Sequence, residues 1–363
     1  MSRKRGTRRA TNRRSPIWAK VLVGLGAVLM AASIGTVTYI KVMLNKVNNA
    51  VATECLLADC DAHQPGEDIK GPLNLLLIGS DMRKDWVSAQ SDSIMILHVN
   101  KDLTAANIIS IPRDLYVQIP DCGPGWGNNS CKEKINTAFA AGGLDMAKAM
   151  QNLAQTLMDR TGLKSFDGAA MINFGGFADL VELFGGVELC VPFDMTLAHP
   201  QGTKVKKGCK EYDAEIALGI VRERYAYDPT TPGWKEEYGI GDYGRQRMQQ
   251  HFIKQLLKKA KEQGYITDPF KVGTLIEKIG DQIRVDLKGR TPVDLAFALK
   301  GIDATKITTL KVPSEPAMIG DTSYVVIQPG EQEKAAEELF TALQNDTLED
   351  WAVTHPKWVN KTG

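Results

Sequence analysis

The sequence predicts an α/β protein, a three-layer α-β-α sandwich around a mixed central sheet, preceded by one transmembrane helix. Short apolar runs alternate with segments of helical spacing between residue 72 and about residue 345, and this alternation is typical of layered α/β folds. Nearer the N-terminus, Val21–Ile40 is an uncharged and mostly apolar run. About 20 apolar residues suffice to cross a hydrocarbon core of roughly 30 Å, so we expect residues 21–40 to form the transmembrane helix.

A basic arm precedes this run. Residues 1–20 carry eight Lys or Arg and no acidic residue, and the remaining 36 basic and 43 acidic side chains give the rest of the chain a net charge of −7. Basic flanks stay in the cytoplasm, so we expect a single-pass protein of the cell membrane whose catalytic part is extracytoplasmic. A cleaved signal peptide is the alternative, since Ala31–Ser33 resembles part of a cleavage site, but the length of the run favours a retained anchor.

All six cysteines follow the predicted anchor and fall into neighbouring pairs along the chain. We therefore predict the disulfides Cys55–Cys60, Cys122–Cys131 and Cys190–Cys209, although other pairings are compatible with the sequence. Disulfides are typical of extracytoplasmic compartments. Zinc binding is the weaker alternative, because no Cys-x-x-Cys is present and the five histidines are dispersed.

The rest of the chain divides into an extracytoplasmic stalk (41–71), one catalytic domain (72–345) and a C-terminal tail (346–363). Apolar runs predict strands over Leu73–Ile78, Ser93–Val99, Ala106–Ile111 and Val187–Val191. Further elements, of unassigned type, are expected over Phe270–Ile283, Val293–Leu299, Ile307–Val312 and Tyr324–Ile327. Helical patterns predict helices over Leu144–Thr161, Phe177–Phe184, Glu211–Arg224, Arg245–Gly264 and Glu331–Leu343. Asp228–Gly239 is rich in Pro, Gly and Trp and predicts a mobile loop over the site.

Arginines gather where these predicted elements end. Arg222 and Arg224 leave one helix, and Arg245 and Gln249 lie four residues apart on one face of the next. The guanidinium group offers a rigid fork of donors that matches phosphate oxygens two at a time. This grouping predicts a site for a polyanion.

Carboxylates accompany the arginines upstream. Asp81 and Arg83 follow the first strand, Asp92 precedes the second, and Arg113 and Asp114 follow the third. Carboxylates beside phosphate-binding arginines repel the substrate unless a divalent cation joins them, and Mg²⁺ typically takes one or two carboxylates plus phosphate oxygens. The combination predicts a metal-assisted pyrophosphate site.

These motifs, in this order over roughly residues 72–260, resemble the LytR-CpsA-Psr family of cell-wall glycopolymer ligases. The matching segments are Leu75–Asp81, Ser91–Ser93, Ser110–Asp114, Lys134–Phe139, Gly142–Gly143, Phe174–Phe177, Leu183–Glu188, Arg222–Arg224 and Gly241–Arg245.

The resemblance implies transfer of a glycopolymer from a polyprenyl-pyrophosphate carrier to a peptidoglycan hydroxyl at the membrane lipid surface, without nucleic acid as a partner. It implies that Asp81 and Asp92 bind Mg²⁺ or Mn²⁺. It further implies that the pyrophosphate is bound by Arg113, Arg222, Arg224, Arg245 and Gln249, with Arg83 as an additional candidate.

The candidate catalytic residues are Arg113, Asp114 and Asp242. Asp114 is the candidate base for the acceptor hydroxyl, and its alternative role is that of a turn residue. For Asp242 we favour a supporting role in which it holds Arg245 or Arg224 in place.

Two positions depart from the family pattern, since Gln90 and Met248 stand where arginines are usual.

Two apolar segments, Met146–Leu157 and Phe174–Phe184, are candidate walls of a polyprenyl tunnel. Their helical spacing alone favours ordinary core packing, and only the resemblance suggests the tunnel.

Two other functions stay open at this point. A polyprenyl-pyrophosphate hydrolase would use the same arginines with water as the acceptor, and a non-catalytic membrane regulator of envelope genes would not require them to converge.

Overall fold

The computed structural model of the chain describes residues 54–80, 90–224, 241–265 and 283–360, together with residues 268, 271, 275 and 278. By its contacts the chain divides into the units Met1–Lys46 and Val47–Gly363, and every described residue belongs to the second. The predicted arm and transmembrane helix lie outside the described residues, as do Asp81, Arg83 and the predicted loop at 228–239. Within the described part, no helix is both long and apolar enough to cross a membrane.

The strands of the described part, numbered along the chain, are β1 (Leu73–Ser80), β2 (Ser91–Val99), β3 (Ala106–Ile111), β4 (Tyr116–Ile119), β5 (Cys131–Lys134), β6 (Gly168–Ile172), β7 (Val187–Val191), β8 (Met195–Thr196), β9 (Lys204–Val205), β10 (Gly208–Tyr212), β11 (Ile283–Asp286), β12 (Thr308–Lys311), β13 (Glu315–Ile319) and β14 (Thr322–Val326). The α-helices of the same part are α1 (Asn136–Ala140), α2 (Met146–Thr161), α3 (Phe174–Leu183), α4 (Ala214–Arg222), α5 (Asp242–Glu262), α6 (Pro292–Leu299), α7 (Glu331–Gln344) and α8 (Leu348–Thr354).

The central sheet has six strands in the order β11-β6-β1-β2-β3-β12. Its middle, β1-β2-β3, is antiparallel, whereas β6 runs parallel to β1 and β12 runs parallel to β3. The predicted α/β fold with a mixed central sheet is therefore confirmed.

Successive side chains of the sheet face two separate cores, as the alternation of a strand requires. Leu76 and Ile96 face the larger core, which α2 and α7 cover. Met95 and Ile108 face the opposite core, which α5 and α6 cover. Helices thus pack on both faces of the sheet, which gives the three layers.

The helix predicted over Glu211–Arg224 is shorter than expected. Tyr212 and Glu211 belong to β10, which pairs with β7 in an antiparallel hairpin that also aligns Cys209 with Cys190. Helix α4 begins only after Asp213, whose side chain accepts a hydrogen bond from the Ile216 amide. A capping carboxylate at this position satisfies an amide that the first helical turn leaves unpaired, so the helix begins there.

The core extends past both ends of the predicted 72–345 domain. Leu56 and Leu57, from the predicted stalk, are buried in the larger core, and so are Trp351 and Trp358 from the predicted tail. Asp286 Oδ2 accepts hydrogen bonds from the backbone amides of both leucines at 2.9 and 2.8 Å. The structure also contains all three predicted disulfides.

One buried histidine makes the stability of this fold depend on pH. His251 on α5 is 4% exposed, and its Nε2 accepts a hydrogen bond from the Cys190 amide at 3.0 Å. Burial, with a smaller effect of Lys254, lowers the pKa of His251 to about 4. Between pH 6.5 and pH 4 the unfolded chain therefore takes up a proton that the folded chain excludes, so the stability falls as the pH falls.

We expect this group to cost about 3 kcal/mol of unfolding free energy between pH 7 and pH 4, at about 1.36 kcal/mol per pKa unit. His251→Gln keeps an acceptor for the Cys190 amide but does not titrate. Urea unfolding at both pH values should therefore give a smaller difference for the variant than for the unaltered protein. Equal differences in the two proteins would contradict this role for His251.

Candidate active site

The register of the sheet brings together residues that are distant in sequence. Ile94 on β2 lies opposite Ile111 on β3. Continuing this antiparallel register by two residues on each strand places Asp92 beside Arg113, and these two side chains form an ion pair. The sheet thus joins two of the predicted site residues at one edge.

Helix α5 adds a second guanidinium to this pair. Arg245 is 5% exposed, and its Nη2 donates to the Asp92 backbone oxygen at 2.6 Å. Its Nη1 lies 4.0 Å from Asp92 Oδ1, and its Nη2 lies 2.5 Å from Asp242 Oδ1. The other oxygen of Asp242 accepts a hydrogen bond from Gln246 at 2.8 Å. Asp242 therefore pairs with Arg245 and with Gln246, and its supporting role stays a prediction.

The two arginines differ in their electrostatic surroundings. Burial lowers the pKa of Arg113, but the nearby carboxylates of Asp92, Asp114 and Asp242 outweigh this effect, so the pKa is raised. For Arg245 burial dominates and lowers the pKa, and the positive charges of Arg113 and Arg224 lower it further. Arg245 is consequently the guanidinium that gains most from a nearby anion.

Several buried polar atoms at this cluster have no hydrogen-bond partner among the described residues. They include Nε of Arg113, Nε of Arg245 and Oε1 of Gln249. Buried donors and acceptors are normally paired, and each exception in a native protein requires an explanation such as a missing ligand. Two unpaired guanidinium donors next to each other fit an anionic ligand.

An apolar cavity opens beside this polar cluster. Its volume is about 310 Å³, and Asp92, Arg222 and Gln249 are among the polar residues that line it. The Arg222 guanidinium lies 4.0 Å from the centroid of the Phe174 ring, and Gln249 Nε2 donates to the Val221 carbonyl at 3.3 Å. The apolar lining is Leu77, Ile78, Met95, Ala170, Met171, Ile172, Phe174, Phe177, Leu180, Leu218, Val221, Phe252, Ile253, Leu256 and Ile283.

Only one of the two candidate tunnel walls lines this cavity. Phe174, Phe177 and Leu180 of α3 face it. The other segment, Met146–Leu157, belongs to α2, whose apolar face is buried in the larger core. Both helices have the same kind of apolar stripe, so only their packing distinguishes the wall from the core.

The chain that carries this cluster matches a known family. The sequence matches the LytR_cpsA_psr family over residues 36–342, which is most of the chain. The protein belongs to the LytR-CpsA-Psr family.

Individual relatives agree with this assignment. The probable cell wall biosynthesis protein LcpB of Corynebacterium glutamicum is 31% identical over 293 residues, which cover 75% of this chain and 61% of LcpB. TagU of Halalkalibacterium halodurans, named as a polyisoprenyl-teichoic acid–peptidoglycan teichoic acid transferase, is 24% identical over 332 residues, covering 90% of this chain and 99% of TagU.

The fold of the family is also recognisable in solved structures. The crystal structure of TagV from Bacillus subtilis superposes with a TM-score of 0.58 at 23% identity, covering 76% of this chain and 98% of TagV. At this identity the likeness is one of fold.

The structure describes both positions that depart from the expected LytR-CpsA-Psr pattern. Met248 is 2% exposed and packs in a core formed with residues of α4 and α5. Arg247 turns to the other side of α5 and donates from Nε to Asn360 at 3.0 Å. Gln90 is exposed immediately before β2.

Two residues that contact the Asp92, Arg113 and Arg245 cluster or its neighbouring carboxylates were not among the predicted site residues. Lys134 Nζ lies 3.4 Å from Asp114 Oδ1, so Asp114 has a cationic partner in addition to Arg113 at 3.9 Å. Gln246 holds Asp242. Lys134 begins one of the matching segments, which was the available signal, whereas nothing in the sequence distinguishes Gln246 from its neighbours.

Proposed function

We propose that the protein is an extracytoplasmic phosphotransferase that moves a glycopolymer from a polyprenyl-pyrophosphate carrier to peptidoglycan. The single observation that carries this proposal is the pair of neighbouring guanidiniums of the half-buried Arg113 and the buried Arg245, whose buried Nε atoms have no hydrogen-bond partner within the described part of the chain. They lie beside an apolar cavity with a polar rim. A pyrophosphate with a lipid on one side requires both features.

The charge of the cluster supports a dianionic ligand. Its described cations are Arg113, Arg222, Arg224, Arg245 and Lys134, and its described carboxylates are Asp92, Asp114 and Asp242. Five positive against three negative side chains leave a surplus of positive charge, which favours an anionic ligand such as a pyrophosphate diester. Arginine forks match phosphate oxygens two at a time, so binding would satisfy the unpaired donors.

The cavity suits the polyprenyl part of the carrier. Its walls come from α3, α4 and α5 and from the sheet strands β1, β2, β6 and β11, and they are mostly aliphatic or aromatic. Burial of an apolar chain contributes about 0.8 kcal/mol per CH₂ group. In this proposal the lipid occupies the cavity and the pyrophosphate lies at its rim, against Arg222 and Gln249.

Asp92 fits the ligand set of a hard divalent cation. Its contacts with Arg113 and Arg245 use Oδ1, and its Oδ2 makes no ion pair or hydrogen bond with a described residue. Asp92 and, from the sequence, Asp81 would hold Mg²⁺ in this proposal. The cation would supply positive charge to the pyrophosphate oxygens.

The protein's own groups account for the remaining steps. An acceptor hydroxyl of peptidoglycan attacks the phosphorus on the glycan side, and the bond from that phosphorus to the bridging oxygen breaks. The products are a phosphodiester and polyprenyl phosphate. Arg113 and Arg245 stabilise the charge that develops on the leaving phosphate, and Asp114, oriented by Lys134, accepts the hydroxyl proton.

An acceptor-dependence assay tests this function. Purified full-length protein would be given a polyprenyl-pyrophosphate-linked glycan with and without peptidoglycan, and release of polyprenyl phosphate would be measured. We expect release that requires the acceptor, together with glycan bound to peptidoglycan. Equal release without the acceptor would instead identify a hydrolase, and no release under either condition would contradict both.

Filling the cavity should remove the lipid. Ala170 lines the cavity from β6, so Ala170→Phe places a ring where the polyprenyl chain would lie. We expect mass spectrometry of the purified protein to find at least tenfold less bound polyprenyl lipid than in the unaltered protein. Val353 is 80% exposed on α8, and Val353→Phe is the matched control. Equal lipid content in all three proteins would contradict the lipid site.

The proposed substrate requires the described domain to lie outside the cytoplasm, with residues 21–40 as its anchor. Protease added to intact spheroplasts should then digest residues 54–360 while a cytoplasmic marker stays intact. Protection of this domain in spheroplasts whose external markers are digested would contradict the topology.

A further inference from the structure

Two lysines flank one buried tryptophan at the edge of the central sheet. Lys311 is the last residue of β12, and Lys357 and Trp358 belong to the segment that follows α8. Lys311 Nζ lies 5.1 Å from the centroid of the Trp358 ring and 5.8 Å from that of Tyr243, while Lys357 Nζ lies 4.9 Å from Trp358. We refer to Lys311, Lys357 and Trp358 as the lysine cluster.

The chain end is attached to the sheet along this edge. Val359 forms a bridge with Leu310, and the Asn360 amide donates to the Thr309 carbonyl at 2.8 Å. Asn360 is buried and accepts a hydrogen bond from Arg247 of α5. The position of Lys357 and Trp358 relative to Lys311 is therefore set by backbone pairing and by contacts to α5.

The positive charge of the lysine cluster is not balanced. Within the described part of the chain, no carboxylate forms an ion pair with Lys311 or Lys357. Burial lowers the pKa of Lys311 to about 8, and the charges of Arg247 and Lys357 lower it further. The charge of the exposed Lys357 thus disfavours the charged form of the half-buried Lys311, and an anion bound between the two lysines would reverse this effect.

The lysine cluster lies at the same end of the sheet strands as the proposed active site. Strand β12 runs parallel to β3, and Lys311 is in register with Ser110, three residues before Arg113. Neighbouring strands are about 4.8 Å apart. Tyr243, which contacts Lys311, directly follows Asp242 on α5. A glycan attached to pyrophosphate at Arg113 and Arg245 could reach Lys311 within a few sugar units.

We propose that Lys311 and Lys357 bind an anionic group, a carboxylate or a phosphate, that is carried by one of the two glycans close to the reacting pyrophosphate. This inference rests on the proposed function for the identity of the ligand as a glycan. The family match ends at residue 342. In this proposal Lys357 and Trp358, which follow the matched region, therefore extend the binding site beyond it.

Binding measurements on the full-length protein in detergent test this site without requiring transfer. The probes are soluble peptidoglycan fragments, which carry carboxylates, an oligomer of glycerol phosphate, and neutral chitotetraose. We expect at least one anionic probe to bind in calorimetric titration, with an affinity that falls as salt rises, and chitotetraose not to bind. Lys311→Gln and Lys357→Gln should each weaken binding about tenfold, as loss of a charge-assisted hydrogen bond does.

Lys334 is exposed on α7 and pairs with Glu338, so Lys334→Gln is the matched control. Lys357 is also exposed, so Lys357→Gln should fold normally even if Lys311→Gln does not. Binding of the peptidoglycan fragments would assign the anion to the acceptor, and binding of the glycerol phosphate oligomer would assign it to the transferred polymer. Unchanged affinity in Lys357→Gln, or no anionic probe bound above the neutral one, would overturn the proposal.

The outcomes separate this inference from the proposed function. If the unaltered protein transfers glycan but binds no anionic probe through these lysines, the lysine cluster is structural and the function stands. If it binds an anionic probe through them but transfers nothing, the anion site stands and the transferase proposal fails.

Discussion

Arg245→Lys will reduce glycan transfer by about tenfold or more while the protein stays folded. Nη2 of Arg245 contacts both the Asp92 carbonyl and Asp242. Its Nε, near Arg113, has no hydrogen-bond partner among the described residues. Lysine keeps the positive charge but has a single nitrogen, so it cannot hold these contacts and a phosphate oxygen together. A contact of this kind contributes about 1.5–3 kcal/mol.

The same change at Arg113, Arg222 and Arg224 should also reduce transfer, because all four are proposed to bind one pyrophosphate. Combining Arg113→Lys with Arg245→Lys should cost less than the sum of the single effects, since residues that act on one ligand are not independent. Arg160 lies in the last turn of α2 with its guanidinium 5.1 Å from the Phe340 ring, and Arg160→Lys is the matched control. Normal transfer by Arg113→Lys and Arg245→Lys would place the pyrophosphate elsewhere.

Asp92→Asn should abolish the dependence of transfer on divalent cations and lower the rate about 100-fold or more, the scale of losing one electrostatic contact in an active site. The amide preserves the shape of the carboxylate, and the backbone oxygen that Arg245 contacts is unchanged. The negative charge that would hold Mg²⁺ is lost. Titration with Mn²⁺, followed by electron paramagnetic resonance in the absence of substrate, measures the metal directly.

Asp194 provides the control for this experiment, since it is an exposed aspartate that pairs with Lys206 outside the cluster. Asp194→Asn should leave both Mn²⁺ binding and transfer unchanged. If Asp92→Asn binds Mn²⁺ as the unaltered protein does, Asp92 only holds the two arginines and the metal proposal is wrong. Asp81→Ala tests the second predicted ligand by the same measurement.

Much of the fold followed from local patterns. The apolar runs that became β1, β2 and β3 were recognisable because a buried strand is apolar on both faces. Helices α2 and α7 were recognisable from their spacing. Strand β10 was not, because its sequence around Lys210 is polar and exposed and only its partner β7 makes it a strand. The sequence indicated an element of unassigned type over Tyr324–Ile327, which overlaps β14, and none over β13.

For the site, the sequence supplied the chemistry of the residues but not their pairing. Arginines near aspartates predicted an anion and a metal, and the order of the motifs predicted the family, which the family match confirmed. That Asp92 meets Arg113 depends on a register between two strands. That Asp242 pairs with Arg245 depends on the first turn of α5. The spacing of apolar residues in α2 and α3 could not show which of the two helices lines the cavity.

The sequence by itself therefore determined which residues carry charge, which segments are buried and to which family the protein belongs. These properties are local, or are encoded in the order of motifs. The tertiary structure alone decided that α3 lines a cavity while α2 fills a core, and that Lys357 lies beside Lys311. Such contacts join residues far apart in the chain, and they depend on which of many compatible packings lowers the free energy of the whole chain.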